Sequence, residues 1–315
     1  MRKFLIKSGI FIALIFAILG LAVLVTLKYL PVNTDNYNYE HIIKMHRLDT
    51  LASPRLIFIG GSNIAFGLNS ARISDSLDIN VQNAAVHAGI GLRYMLDEIT
   101  VRVRKGDIVV VMPEYSQFDK IYNGDDAGTL TDVVVYGDGS GWSRLNSQQL
   151  LNVISGFPSH IKGRRRIDLD RAVRNNGYVY ATRNFNEYGD EAAHRSRPPQ
   201  KLSVSKYKLE IDMEIISEMA AKIKDIQAKG ARVILLWPIT IESNFNAGRE
   251  ALGDVADALG ACGISFDSSP DYLVEPDSLA YDTPYHMSGP AVEDVTDKII
   301  ARLRVLIPAD TIAGK

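Results

Sequence analysis

The sequence predicts a three-layer α/β/α sandwich around a parallel sheet of about five strands, flavodoxin-like in type, with one transmembrane helix at the N-terminus. Three observations carry this. Short apolar runs such as RLIFIG, DIVVVMP and ARVILLWPI recur from residue 55 onward, apolar throughout as strands buried on both faces are. Between them lie longer segments with apolar residues at three- and four-residue spacing, the period of an amphipathic helix. Ahead of both, between Lys7 and Lys28, sits SGIFIALIFAILGLAVLVTL, without a charge.

A helix of roughly 20 residues crosses the hydrocarbon core of a bilayer. Arg2, Lys3 and Lys7 precede the apolar stretch, which keeps the N-terminus cytoplasmic and exports the rest. The stretch is longer than the apolar region of a cleaved signal, and no A-x-A pattern follows it. Residues 1–30 therefore read as a retained single-pass anchor in a bacterial inner membrane, with the C-terminal domain periplasmic or extracellular. Residues 31–52 read as a juxtamembrane linker running into a short helix, and 53–315 as the α/β domain.

Composition narrows the function classes. Thirty-five Lys and Arg stand against 37 Asp and Glu, a balance that argues against nucleic acid as a main partner. A hydrophobic content of 46% fits a folded domain. The single cysteine, Cys262, excludes an intrachain disulfide and does not assign a redox compartment.

The elements follow in order. RLIFIG is a strand ended by glycines, INVQNAAV a second, and GLRYMLDEITVRVRKG a helix closed by Gly106. DIVVVMP is the third strand. Residues 114–205 then break the rhythm with YGDGSGW, KGRRR and RNFNEYGDEAAHRSRPPQ, too long for an ordinary βα connection, and read as an insertion over one end of the sheet. KGRRR reads as solvated surface. YKLEIDMEIISEMAAKIKDIQAKG is a long helix, ARVILLWPI the fourth strand, NAGREALGDVADALGACG a helix and ISFDSS the fifth strand. A last helix covers about Gly289 to Leu306. Strands alternating with helices imply the parallel sandwich.

Ligands of such sheets bind beyond the carboxyl ends of the strands, where IFIGGSNIAFG places Ser62 after the first strand. A serine there can be a nucleophile whose backbone N–H supports an oxyanion, or an ordinary helix N-cap. A nucleotide loop has no support, since neither G-x-x-x-x-G-K-[ST] nor G-x-G-x-x-G is present. Far along the chain, LAYDTPYHMSGPAVEDVTDKI sets Asp282 and His286 in a loop before the last helix. A nucleophilic serine needs a histidine to take its proton, and the histidine needs a carboxylate to fix its tautomer. Of the six histidines, His41, His46, His160 and His194 read as surface residues and His87 as structural. His286 alone has a nearby carboxylate in a strand-end loop.

These blocks together resemble the SGNH (GDSL-like) hydrolase superfamily over roughly residues 53–306, with the insertion loosely matched. Among its members the chain is most similar to the membrane-anchored kind that acylate or deacylate envelope polymers, such as alginate O-acetylation and DltD-type proteins. GGSN at 60–63 resembles the first block and implies Ser62 as nucleophile. NAAVHAG at 83–89 resembles the second and implies the Gly89 N–H as an oxyanion donor beside that of Ser62. YDTPYHMSG resembles the last and implies Asp282 and His286 as the other triad members. Three features depart from the pattern. Gly61 stands where the first block has Asp, and MPEYSQF lacks the third-block Asn, for which Asn63 is a substitute donor. Asp282 lies one residue further from the histidine than D-x-x-H, with Thr283 at the usual place. The resemblance implies acyl transfer or ester hydrolysis through an acyl-serine, on an envelope or exported polysaccharide, without metal or organic cofactor, and with a multi-span acyltransferase as a partner. The insertion then shapes the acceptor groove, with Glu114, Arg183, Asn186 and Glu187 as substrate contacts. The rival reading is a catalytically silent glycan-binding or scaffold subunit.

Overall fold

The computed structural model describes residues 1–29, 32–165, 178–202, 210–267 and 271–307. Four parallel strands, β1 (Arg55–Gly60), β2 (Asn80–Asn83), β3 (Ile108–Met112) and β4 (Arg232–Leu235), form one sheet in the order β2-β1-β3-β4. Leu56 pairs with Val81 on one side and Ile108 on the other. This is the doubly wound order, and its switch point lies between β1 and β3. The expected fifth strand is reduced to a single parallel bridge between Leu235 and Phe266. The apolar run there is short, and residues 268–270 of ISFDSS lie outside the described residues. A second sheet pairs β5 (Thr240–Ile241) with β6 (Val274–Glu275), also in parallel.

Alternation along the strands builds two cores. Ile57, Ile59, Val109 and Val111 face Met45 and Leu48 of α2 (Glu40–Thr50), Leu92, Leu96 and Ile99 of α5 (Leu92–Arg102), and the helices Met213–Ala228 (α8) and Glu242–Ala261 (α9). Leu56, Phe58, Ile108 and Val110 face α4 (Ser70–Leu77) and the last helix, Gly289–Leu306 (α10). Each fully buried Ile or Val contributes about 1.5–3 kcal/mol, so both helix layers are held chiefly by the sheet. The bases of β1 and β3 are fastened by Arg55, whose buried guanidinium meets both oxygens of Asp107 and the carbonyls of Leu48 and Arg102.

The segment before β1 joins the domain. Lys44 of α2 is buried and donates to the Ala85 carbonyl. Burial lowers the Lys44 ammonium to about 8, with Glu40 opposing, and raises the Glu40 carboxyl to about 7, with Lys44 opposing.

Insertion residues 114–205 carry structure of their own, including α6 (Thr129–Tyr136) and α7 (Ser147–Arg165). A third apolar cluster, with Tyr37, Phe66, Val86, Leu130, Val133, Val153, Val179 and Tyr281, lies beneath it. Of the basic run, Lys162 is exposed, while residue 166 lies outside the described residues.

At the N-terminus Arg2–Tyr29 is one helix, α1, of 28 residues, with Phe4, Ile10, Phe11, Leu14, Ile18 and Leu21 exposed. Among the described residues no helix is long and apolar enough to cross a membrane, so the expected span has no structural support. The side chains of residues 16, 19, 22–24, 26 and 27 in the uncharged stretch lie outside that description.

Candidate active site

β1 ends on Gly60 and β3 on Met112, adjacent across the switch point. Gly60 has φ of 156°, and a Cβ there would strike the Met112 carbonyl, so only glycine fits this turn. The chain then enters α3 (Ser62–Ala65), a single helical turn whose N-cap is Gly61, without side-chain capping. Ser62 is thus not the cap. Its hydroxyl donates to Glu114 Oε1 at 3.0 Å, and the Asn63 N–H donates to the same oxygen at 3.0 Å. One turn of helix carries little dipole, so individual N–H groups, rather than the helix as a whole, set the local field.

Glu114 therefore caps α3 from the neighbouring strand. It is itself held by a capping box with the buried Gln117, whose Oε1 accepts the Glu114 N–H at 3.0 Å. A Cβ on Gly61 would overlap the Glu114 carboxylate. The carboxylate that caps α3 thus comes from just beyond β3 and not from its own turn.

Asp282 and His286 meet as the spacing implied: His286 Nδ1 lies 2.7 Å from Asp282 Oδ1. The extra residue between them closes a turn, with Thr283 accepting from the His286 N–H at 3.3 Å and, through its hydroxyl, from the Tyr285 N–H at 3.2 Å. With Nδ1–H on Asp282, the Nε2 lone pair is free to take a proton. This nitrogen is buried and has no hydrogen-bond partner among the described residues. The imidazole stacks on Phe66, 3.9 Å between centroids and 8° between planes, and Phe66 is the C-cap of the helix that Ser62 begins. Tyr285 OH accepts the Tyr115 N–H at 3.3 Å, tying the histidine loop to the residue after Glu114. Ser62, Glu114 and the Asp282–His286 pair thus share one end of the sheet.

Tyr180, from the insertion, donates to Asp282 Oδ2, and its oxygen lies 3.3 Å from His286 Nδ1. Burial pushes the Asp282 carboxyl up, but the hydrogen bonds from His286 and Tyr180 outweigh it and hold it below the usual range. Burial, reinforced by the Asp282 contact, pushes the Tyr180 phenol well above its ordinary value. Neither Tyr180 nor Phe66 is marked in the sequence, since each lies far along the chain from its partner.

The remaining sequence candidates, Glu187 apart, are engaged within the protein. Asn63 Nδ2 donates to the Met112 carbonyl at 3.2 Å. The Gly89 N–H donates to His87 Nδ1 at 2.9 Å. Arg183 pairs with Asp35, Asn186 receives the N–H groups of Tyr188 and Asp190 at 3.0 and 2.9 Å, and Glu187 is exposed. Three histidines read as surface residues are buried instead. His41 pairs with Glu98, His194 with Glu191, and His160 with Asp132 at 2.6 Å. The carboxylates of His41 and His160 lie 57 and 28 positions away, beyond any local signal, whereas Glu191 stands three residues before His194 and is a signal the sequence does offer. Among the described residues no group of three or more His, Cys, Asp or Glu is arranged to hold a metal.

No protein-family model matches this chain, and no curated protein matches it significantly. The described residues form a doubly wound α/β domain with a histidine–carboxylate pair and a serine at its switch point.

Proposed function

We propose that the protein is a serine-dependent acyl-handling enzyme of the SGNH type, acting by transfer or hydrolysis on acyl esters, most simply acetyl, of an envelope or exported polysaccharide. The observation that carries this reading is the orientation of His286: Nδ1 on Asp282, Nε2 unpartnered, ring stacked on the helix begun by Ser62. Rotation about the Ser62 Cα–Cβ bond moves the hydroxyl from Glu114 toward Nε2. The oxygen then attacks the ester carbonyl as His286 takes its proton. Asp282, itself held by Tyr180, orients the imidazole. Collapse expels the alcohol, which receives that proton, and a sugar hydroxyl or water takes the acyl group in the second half.

The uncharged stretch of residues 8–27 and the exposed apolar side chains of α1 support tethering of the domain to the outer face of an inner membrane. In this reading Arg183, Asn186 and Glu187, all on the insertion, are the contacts for a polymer acceptor. A second reading, a silent glycan-binding or scaffold subunit, is favoured by the Ser62 hydroxyl pointing to Glu114. A serine-directed fluorophosphonate separates the two. The enzyme reading expects labelling that is lost in Ser62→Ala and His286→Ala, and well-folded protein that takes no label and turns over no acetyl ester would sink it.

A further inference from the structure

His87 N-caps the short turn Ala88–Ile90 that follows β2, and the turn folds the Gly89 N–H onto its Nδ1 at 2.9 Å. A ring nitrogen that accepts carries no hydrogen, so neutral His87 holds its proton on Nε2. Nε2 makes no hydrogen bond among the described residues. The ring is partly buried, sets its edge against Tyr37 with centroids 6.5 Å apart, and lies within electrostatic reach of Glu114, Asp125 and His286.

We propose that His87 is a catalytic residue of the serine reaction, a neutral imidazole whose Nε2–H hydrogen-bonds the oxyanion. The inference rests on the serine reading above. It answers two departures at once. β3 ends in Met112-Pro113-Glu114 and offers no asparagine amide. The Gly89 N–H, implied as a donor to substrate, instead polarises the ring that donates. Burial lowers the affinity of His87 for a second proton and His286 acts in the same direction, against Glu114 and Asp125. The ring therefore stays a dipole rather than a cation, and it cannot form a competing ion pair with Glu114.

The step balances without a co-reactant. As the Ser62 Oγ–C bond forms, the carbonyl π pair moves to oxygen, which is held by His87 Nε2–H and the Ser62 N–H. The serine proton goes to His286 Nε2. When the carbonyl re-forms, the C–O bond to the alcohol breaks, and the departing oxygen takes the proton from His286. His87 keeps its own hydrogen throughout.

Full-length His87→Phe and His87→Gln test this with p-nitrophenyl acetate as substrate. Loss of one oxyanion donor lowers kcat about 10²–10³-fold, with KM little changed, for the Phe variant. The Gln variant, which restores an N–H donor, recovers at least about tenfold of that loss. A Phe variant within about threefold of wild type, or a Gln variant as slow as Phe, overturns the assignment. Wild-type protein supplies a measurement independent of mutant folding. On phosphonylation of Ser62 the Nε2–H resonance of ¹⁵N-labelled His87 shifts downfield, and an unmoved resonance overturns the assignment too. Loss of the serine reading itself looks different: wild-type protein then takes no fluorophosphonate label and turns over no ester, or Ser62→Ala keeps the wild-type rate.

Discussion

His286 and His160 sit in pockets that are alike at short range. Each holds a carboxylate at Nδ1, Asp282 at 2.7 Å and Asp132 at 2.6 Å, and each has a buried Nε2 without a partner among the described residues. Their surroundings differ. His286 lies on Phe66 at the switch point, one helical turn from a serine. His160 lies in the insertion between Tyr136 and Phe157, and the nearby Thr131 hydroxyl is already donated to the Val153 carbonyl at 3.0 Å. Its aspartate also receives Asn36 and Asn38, at 3.2 and 2.9 Å, so this pair clasps the segment before α2 to the insertion. A histidine–carboxylate pair is therefore not a catalytic signature by itself. What sets His286 apart from His160 is its position at the end of the sheet, stacked on the helical turn that Ser62 begins.

The comparison is broken most directly by activity. Ser62→Ala and His286→Ala are expected to lower acetyl-ester turnover by at least about 10³-fold, while His160→Ala changes kcat by less than about twofold in the folded fraction. Equal losses in His160→Ala and His286→Ala would end the distinction. Stability should show the reverse order. Removing His160 empties a fully buried site between Tyr136 and Phe157 and costs about 3 kcal/mol, whereas the Asp282 carboxylate left by removal of His286 is more exposed and the loss is smaller. Urea midpoints of the two alanine variants decide it.

A smaller effect sharpens the role of the insertion. Tyr180→Phe removes a donor from Asp282, so kcat falls by about tenfold and the Asp282 carboxyl titrates higher. Because Asp282 is depressed in the fold, its contribution to stability is present above the unfolded value of about 3.9 and is lost as pH falls through the lower folded value. The variant should therefore show a smaller stability difference between pH 7 and pH 2 than the wild type. An unchanged acid limb would mean that Tyr180 does not act on Asp282.

The smallest effect concerns α2. Glu40 is raised to about 7 by burial, so its ionisation destabilises the fold progressively as pH rises from about 4.3 toward 7. Glu40→Gln should raise stability relative to the wild type at pH 8 and leave it nearly unchanged at pH 4. Melting curves at both pH values check the sign.

Local chemistry was legible in the sequence, and long-range pairing was not. β1, β3 and β4 announced themselves as apolar runs, and Asp282 with His286 could be paired because four residues and one turn separate them. ISFDSS looked like a strand but makes one bridge, since a four- to six-residue apolar signal does not count hydrogen bonds. The capping reading of Ser62 turned on Glu114, 52 residues away, which arrives because β3 is the sheet neighbour of β1. Tyr180 and Phe66 were invisible for the same reason: their partners are 102 and 220 positions further on.

Tyr180 belongs to the same stretch as Glu191 and His194, which brace the Ala65 and Met287 carbonyls. The lie of the insertion and the orientation of the Asp282–His286 pair are consequently under one lever. On the proposed function, an acceptor that displaced this stretch would pull Tyr180 from Asp282 before its ester reached the serine, so seating and chemistry would share one contact.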